Sequence, residues 1–302
     1  MKYDPIKVRR FAESLAALGG HPVSLVEKDV WITYALREIY ALPEGSFLAF
    51  KGGTCLVKAY FGFYRFSEDI DLTWTGKKIK EHQFRTSVIE RVMSELGLEW
   101  DYHDKVKTGI AGSHSGGIMN YFLLTPKADG KQSKLKITVA FDETLEFPPL
   151  KKSLKPAVPL AQSRELDAMF PKISSDYFSP PAILCYSLKE IACEKIRAVL
   201  TRRVQPNRSR DVVDLFVINK SMPLSQAAPE KAIKAKLSSA LKIPAYAREY
   251  EKNTQNLHEH LLQLAAQVKL DSVFITQPNP VQLGKFIEEL ESYINQVTKN
   301  II

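Results

Sequence analysis

Residues 47–74 constrain what this 302-residue chain can fold into more than any other stretch. The apolar run Phe47-Leu48-Ala49-Phe50 lies between Gly45-Ser46 and Gly52-Gly53, the pattern of a short buried strand closed by turns. Thr54–Phe61 reads as a helix and Ile70–Trp74 as a second strand. This part of the chain is therefore expected to be α+β.

On the N-terminal side, Pro5–Leu18 has helical spacing in Ile6, Val8, Phe11, Leu15 and Leu18. Ser24 with Glu27 has the form of a capping box that opens a second helix running to Pro43. Lys80–Leu96 puts Phe84, Val88, Val92 and Leu96 on one helical face. Gly117–Thr125 and Lys134–Phe141 read as a hairpin closed through Ala128-Asp129-Gly130-Lys131, since Asp-Gly supplies a tight turn. Prolines at 148, 149, 156, 159, 171, 180 and 181 argue against regular structure between Pro148 and Pro181. Helices are expected at Ser187–Thr201, Asp211–Lys220, Pro229–Leu241, Tyr246–Gln267 and Pro280–Lys299. The expected organisation is an α+β lobe over 1–150, a proline-rich connector over 151–181 and a mainly helical lobe over 182–302.

Composition narrows the class of molecule. Hydrophobic content of 45% and charged content of 25% are those of an ordinary globular chain. Three irregularly spaced cysteines, Cys55, Cys185 and Cys193, do not make a disulfide framework or a zinc site, and read as reduced core thiols. No signal-peptide pattern opens the chain and no apolar run reaches membrane-spanning length, so a cytoplasmic protein with no membrane partner is expected. The net charge of +8 favours an acidic partner such as nucleic acid, although it is spread along the chain.

The chemistry is concentrated where the fold is most constrained. Gly52-Gly53 stands at the mouth of a helix, where backbone N–H groups can approach phosphate without an intervening Cβ. Asp69 and Asp71 follow at i and i+2 on a strand, hence on one face and about 7 Å apart at Cα. Two hard oxygen ligands so placed suit Mg²⁺ (or Mn²⁺) with a nucleoside triphosphate completing the metal shell. Either half of the pattern is common by itself; the combination is not.

These residues resemble a known family. Lys51-Gly52-Gly53-Thr54 followed by Arg65-Phe66-Ser67-Glu68-Asp69-Ile70-Asp71-Leu72 is similar to the signature of the AbiEii/AbiGii abortive-infection toxin nucleotidyltransferases, within the DNA polymerase β superfamily and akin to MenT-type toxins. Val26-Glu27-Lys28-Asp29-Val30-Trp31 resembles a segment that precedes that signature. Ala192-Cys193-Glu194-Lys195-Ile196-Arg197-Ala198 resembles the family's helical Glu-Lys motif. Arg208-Ser209-Arg210-Asp211-Val212-Val213-Asp214-Leu215 resembles its final Arg-x-Lys-Asp-x-x-Asp motif, with arginine in place of lysine.

The resemblance implies a nucleotidyltransferase-type mixed sheet and a helical lobe that completes the active-site cleft. Asp69 and Asp71 would be catalytic and hold the metal ions. Gly52, Gly53, Thr54, Ser67 and Arg210 would contact the nucleotide, while Lys51 reads equally as a phosphate contact and as a solvated strand end. Lys195 and Asp211 would be catalytic, Lys195 touching the triphosphate and Asp211 orienting a cation; for Asp214 a structural and a functional role stand even. Superfamily members usually add a third carboxylate from a neighbouring strand, and this chain has Thr138 at that position. Either Asp142, four residues on and about 13 Å along an extended strand, is the base, or two carboxylates suffice and another group or water takes the proton.

The function implied is transfer of a nucleoside monophosphate from an NTP to an RNA 3′ hydroxyl, tRNA first, by a phage-defence toxin held by a cognate antitoxin. Transfer to a protein or small molecule, and inert nucleotide or RNA binding, are the rival readings. His258 and His260, at i and i+2 on a helix, face apart and are not expected to share a metal.

Overall fold

The structure is a computed structural model that describes residues 2–100, 110–111, 119–126, 134–158, 164–205, 208–270 and 273–299. The chain divides into two compact units: Met1–Ser113, Ile118–Asp142 and Leu150–Cys185 form the first, and His114–Gly117, Glu143–Pro149 and Tyr186–Ile302 the second. The chain is α+β, as expected. Among the described residues, no helix is long and apolar enough to cross a membrane.

The first unit is built on a mixed sheet of eight strands: β1 Leu48–Lys51, β2 Asp69–Trp74, β3 Leu98–Trp100, β4 Ile110–Ala111, β5 Met119–Pro126, β6 Leu135–Ala140, β7 Leu150–Ser153 and β8 Ala182–Cys185. The order is β3-β5-β6-β2-β1-β8-β7, with β4 paired to β5. β1 and β2 are antiparallel, whereas β2 and β6 run parallel in the register Asp69↔Lys136 and Asp71↔Thr138. The expected hairpin is present as the antiparallel β5–β6 pair; its Asp-Gly turn lies outside the described residues, as do His103 and His114.

Leading into the sheet, the helices Pro5–Gly19 and Val23–Ala41 pack along their apolar faces. The second starts on Pro22 rather than on the expected Ser24 box, because the Pro22 carbonyl accepts from Leu25 and Val26 N–H and no side chain caps it. Asp29 from this helix is buried against Lys58, with Asp29 Oδ1 2.7 Å from Lys58 Nζ. Tyr177 donates to the other Asp29 oxygen at 2.7 Å. Lys58 lies on the helical stretch that follows Gly52-Gly53, first α-helical over Gly52–Cys55 and then π-helical over Leu56–Phe61. The Val26–Trp31 segment thus anchors the helix on which the glycine turn opens.

The proline-rich segment is not the irregular connector that its composition predicts. It holds β7, the helices Arg164–Met169 and Pro171–Phe178, and leads into β8. Proline is compatible with this where no N–H is needed: Pro171 occupies the first helical turn, and Pro180-Pro181 precede β8.

The second unit is helical, with Leu188–Thr201, Ser209–Ser221, Glu230–Ala240, Pro244–Gln255, Leu257–Ala266 and Pro280–Thr298 as its main helices. The single helix expected over Tyr246–Gln267 is broken at Asn256. Buried charges are paired here: Lys236 Nζ lies 2.5 Å from Glu190 and 2.8 Å from Glu194, which also binds Arg197 Nη2 at 2.7 Å. All three cysteines are free and buried, and burial pushes the Cys193 thiol up to about 12.

Candidate active site

On the sheet, Lys51 at the end of β1 sits opposite Asp71 of β2, and the glycine turn follows at once. Gly52 has φ +77°, and a Cβ there would collide with Asp71 Oδ2. Conformation and space both demand glycine. At Gly53 the demand is spatial alone, since a Cβ would collide with Arg65 Nη2. Arg65 is 2% exposed and donates through Nη1 to the Phe66 carbonyl at 2.9 Å. Sequence reasoning gave Arg65 no role; its position just before Phe66-Ser67 was the signal available.

Thr54 fixes the turn to the strand. Its buried hydroxyl donates to the Asp69 carbonyl and lies 2.7 Å from Ser67 Oγ. The hydroxyl that the resemblance assigns to phosphate is therefore engaged in setting where β2 begins. The open approach to phosphate is left to the backbone at Gly52-Gly53.

Asp69 and Asp71 project from β2 half-exposed, while Ile70 and Leu72 are fully buried. The parallel neighbour β6 sets Lys136 beside Asp69, its Nζ 3.6 Å from Asp69 Oδ2, and Thr138 beside Asp71. Thr138 is 3% exposed and its Oγ1 finds no hydrogen-bond partner among the described residues. Where a third carboxylate would stand, this chain has a buried hydroxyl. β6 ends at Ala140, and Asp142 is exposed in the bend beyond it.

Among the described residues no three His, Cys, Asp or Glu side chains converge to cage a metal. Two carboxylates with an adjacent unpartnered hydroxyl form an all-oxygen set, and the glycine turn leaves Asp71 accessible on one side. Such a set fits a hard divalent cation that takes few protein ligands and completes its shell with phosphate and water.

In the second unit, Lys195 is 7% exposed and held between two carboxylates of the helix Ser209–Ser221. Its Nζ lies 2.7 Å from Asp211 Oδ1 and 2.6 Å from Asp214 Oδ2. The i, i+3 spacing turns both acids to one face, as the sequence predicts. Asp214 is fully buried, whereas the Asp211 side chain keeps 14% of its exposure. Burial would raise the Asp211 carboxyl, but Lys195 and Arg202 outweigh it and hold it below the usual carboxylate range. Arg210 lies half-buried on the same helix. His258 and His260 serve separate partners: His258 Nδ1 lies 2.6 Å from Glu291, and His260 Nε2 lies 2.9 Å from the Val199 carbonyl.

Comparison with known proteins adds the family. A model of the family described as nucleotidyl transferase AbiEii toxin, type IV TA system, matches residues 34–294. Among solved structures, JHP933 from Helicobacter pylori is 17% identical, covering 92% of this chain and 96% of that one at a TM-score of 0.47. A candidate nucleotidyltransferase from H. pylori is also 17% identical, covering 88% of this chain and 94% of that one at 0.45. No protein of curated function matches. The family match spans most of the chain, including every motif from the glycine turn to Asp214; the chain belongs to the AbiEii family of nucleotidyl transferase toxins.

Proposed function

We propose that this nucleotidyltransferase uses Mg²⁺ or Mn²⁺ to move a nucleoside monophosphate from an NTP to an RNA 3′ hydroxyl, releasing pyrophosphate. Its leading acceptor is tRNA, and a cognate antitoxin restrains it. The observation that carries this reading is the pair Asp69 and Asp71 on one strand face, with Gly52 held to glycine by the Asp71 carboxylate itself. Family membership supports the nucleotidyl chemistry, and the net charge of +8 supports a polyanionic acceptor.

Asp69 and Asp71 would hold the cation, which when bound supplies charge neutralisation of the triphosphate and activation of the acceptor hydroxyl. The backbone N–H groups at Gly52 and Gly53 would orient phosphate, with Thr54 and Ser67 fixing their frame. Lys136 tempers the charge of Asp69 before substrate arrives. Lys195 is assigned a fixed positive charge toward the nucleotide, held in one rotamer by Asp211 and Asp214; Lys51 and Arg210 are assigned supporting phosphate contacts. Thr138 has no basicity at neutral pH, so the acceptor proton is left to solvent or to Asp142.

The test is incubation of the purified chain with total RNA, total protein and each α-labelled NTP in turn, with and without Mg²⁺. Label is expected in RNA, only with Mg²⁺, and not with Asp69→Ala. Label in protein alone would transfer the assignment to a protein acceptor, and undiminished RNA labelling by Asp69→Ala would end the mechanism.

A further inference from the structure

The second unit contains a pocket of about 300 Å³ that none of the assigned site residues lines. Four arginines, Arg202, Arg203, Arg208 and Arg248, stand around it against one acid, Glu249. Glu249 is committed to Arg203, whose Nε it meets at 2.6 Å. The Nε atoms of Arg202 and Arg208 are buried and have no hydrogen-bond partner among the described residues. A buried donor without an acceptor is costly, and two guanidinium groups facing the same space repel one another. Folded proteins tolerate that arrangement where an anion completes it.

We propose that Arg202, Arg208 and Arg248 form a phosphate-binding pocket. Guanidinium groups suit phosphate because their donors are planar and match its oxygens in pairs. The wall is built, not draped. Asn253 Nδ2 donates to the Leu200 and Arg202 carbonyls, both at 3.0 Å, and fixes the chain where the helix Leu188–Thr201 ends. Arg208 N–H donates to the Gln205 carbonyl at 2.8 Å, and Arg208 caps the helix Ser209–Ser221, adding the positive end of that helix. Burial, then the neighbouring Arg197 and Arg208, push the Arg202 guanidinium down to about 10. Asp211 pulls the other way, so the lowered value reflects burial first and the neighbouring guanidinium charges second.

Phosphate can arrive from two sources: the phosphodiester backbone of an RNA, or the polyphosphate tail of a free nucleotide. Assigning it to the acceptor strand rests on the function proposed above, whereas the pocket itself does not. The experiment therefore uses full-length Asp69→Asn protein without Mg²⁺, so that binding is read in the absence of turnover. A fluorescein-labelled single-stranded RNA 20-mer is titrated by anisotropy and inorganic tripolyphosphate by calorimetry. Each is measured for the parent, Arg208→Gln, Arg248→Gln and Lys231→Gln. Arg248 lies exposed at the rim, so its variant is expected to melt as the parent does, and exposed Lys231 lies outside the pocket as a control for charge.

Each arginine variant is expected to weaken binding of at least one probe about tenfold, and Lys231→Gln less than about twofold. For RNA, the slope of log affinity against log salt should fall by about one per arginine removed. Loss on RNA alone identifies the strand, loss on tripolyphosphate alone the nucleotide tail, and loss on both a site open to either. Folded arginine variants that bind both probes as the parent does would overturn the pocket. A protein that binds through these arginines yet labels no RNA would refute the proposed function and leave the pocket standing.

Discussion

Asp71 and Gly52 define each other: the carboxylate occupies the space a side chain at 52 would need, and the +77° backbone puts that space there. Gly52→Ala should cost about 1–2 kcal/mol in urea denaturation, the strain of an L residue in that conformation. Displacement of Asp71 should lower NTP incorporation far more, by about 100-fold, in the labelling assay. The two acids on Lys195 separate in the same way. Asp214→Ala removes a fully buried partner and should cost about 3–5 kcal/mol, read from the denaturation midpoint. Asp211→Asn should cost less and should change the acid limb. Its folded carboxyl sits below the unfolded value of about 3.9. The stability it adds is therefore complete above about pH 4 and is lost as pH falls through the lower folded value. Denaturation midpoints taken at descending pH should fall less steeply for Asp211→Asn than for the parent.

At the scale of elements, the helix Leu188–Thr201 carries charges on more than one side. Lys195 serves the carboxylates of the next helix, while Glu190 and Glu194 receive Lys236. Glu190 also accepts from the backbone N–H groups of Glu146 and Phe147 at 3.0 and 2.9 Å, tying the Glu143–Pro149 segment to the helix. Burial raises the Glu190 carboxyl in spite of Lys236, so Lys236→Met should leave a buried acid that takes up a proton. The expected loss is about 3–5 kcal/mol at neutral pH and less at acid pH, measured by urea denaturation at both. Helix Leu188–Thr201 was legible almost to the residue because Ser187 caps it through the Glu190 N–H. The break at Asn256 was not, since neither proline nor glycine marks it. β7, Leu-Lys-Lys-Ser and largely exposed, carries no apolar alternation to read, and the prolines around it point the wrong way.

For the molecule as a whole, the sequence shows where the candidate site's strand and turn lie and hides the path of the chain. The Asp-x-Asp strand and the glycine turn are local and could be read directly. Lys195 and Asp211 needed a family resemblance, because sixteen residues of sequence separation say nothing of a 2.7 Å contact. Linear order also concealed that the chain leaves the first unit after Asp142 and returns at Leu150 to finish the sheet with β7 and β8. The arginine pocket appeared in the sequence only as a dense basic stretch around residues 202–210; Arg248, which completes it, lies on another helix.

Cys55, Cys185 and Cys193 are all enclosed, with no measurable surface. The native protein should accordingly give almost no colour with a disulfide thiol reagent at neutral pH, and three equivalents once unfolded in guanidinium. A chain this quiet toward thiol chemistry is ready for site-specific labelling. One cysteine introduced at exposed Gln205, on the rim of the arginine pocket, would carry a dye alone, and ligand arrival could be followed by its fluorescence without removing any natural cysteine.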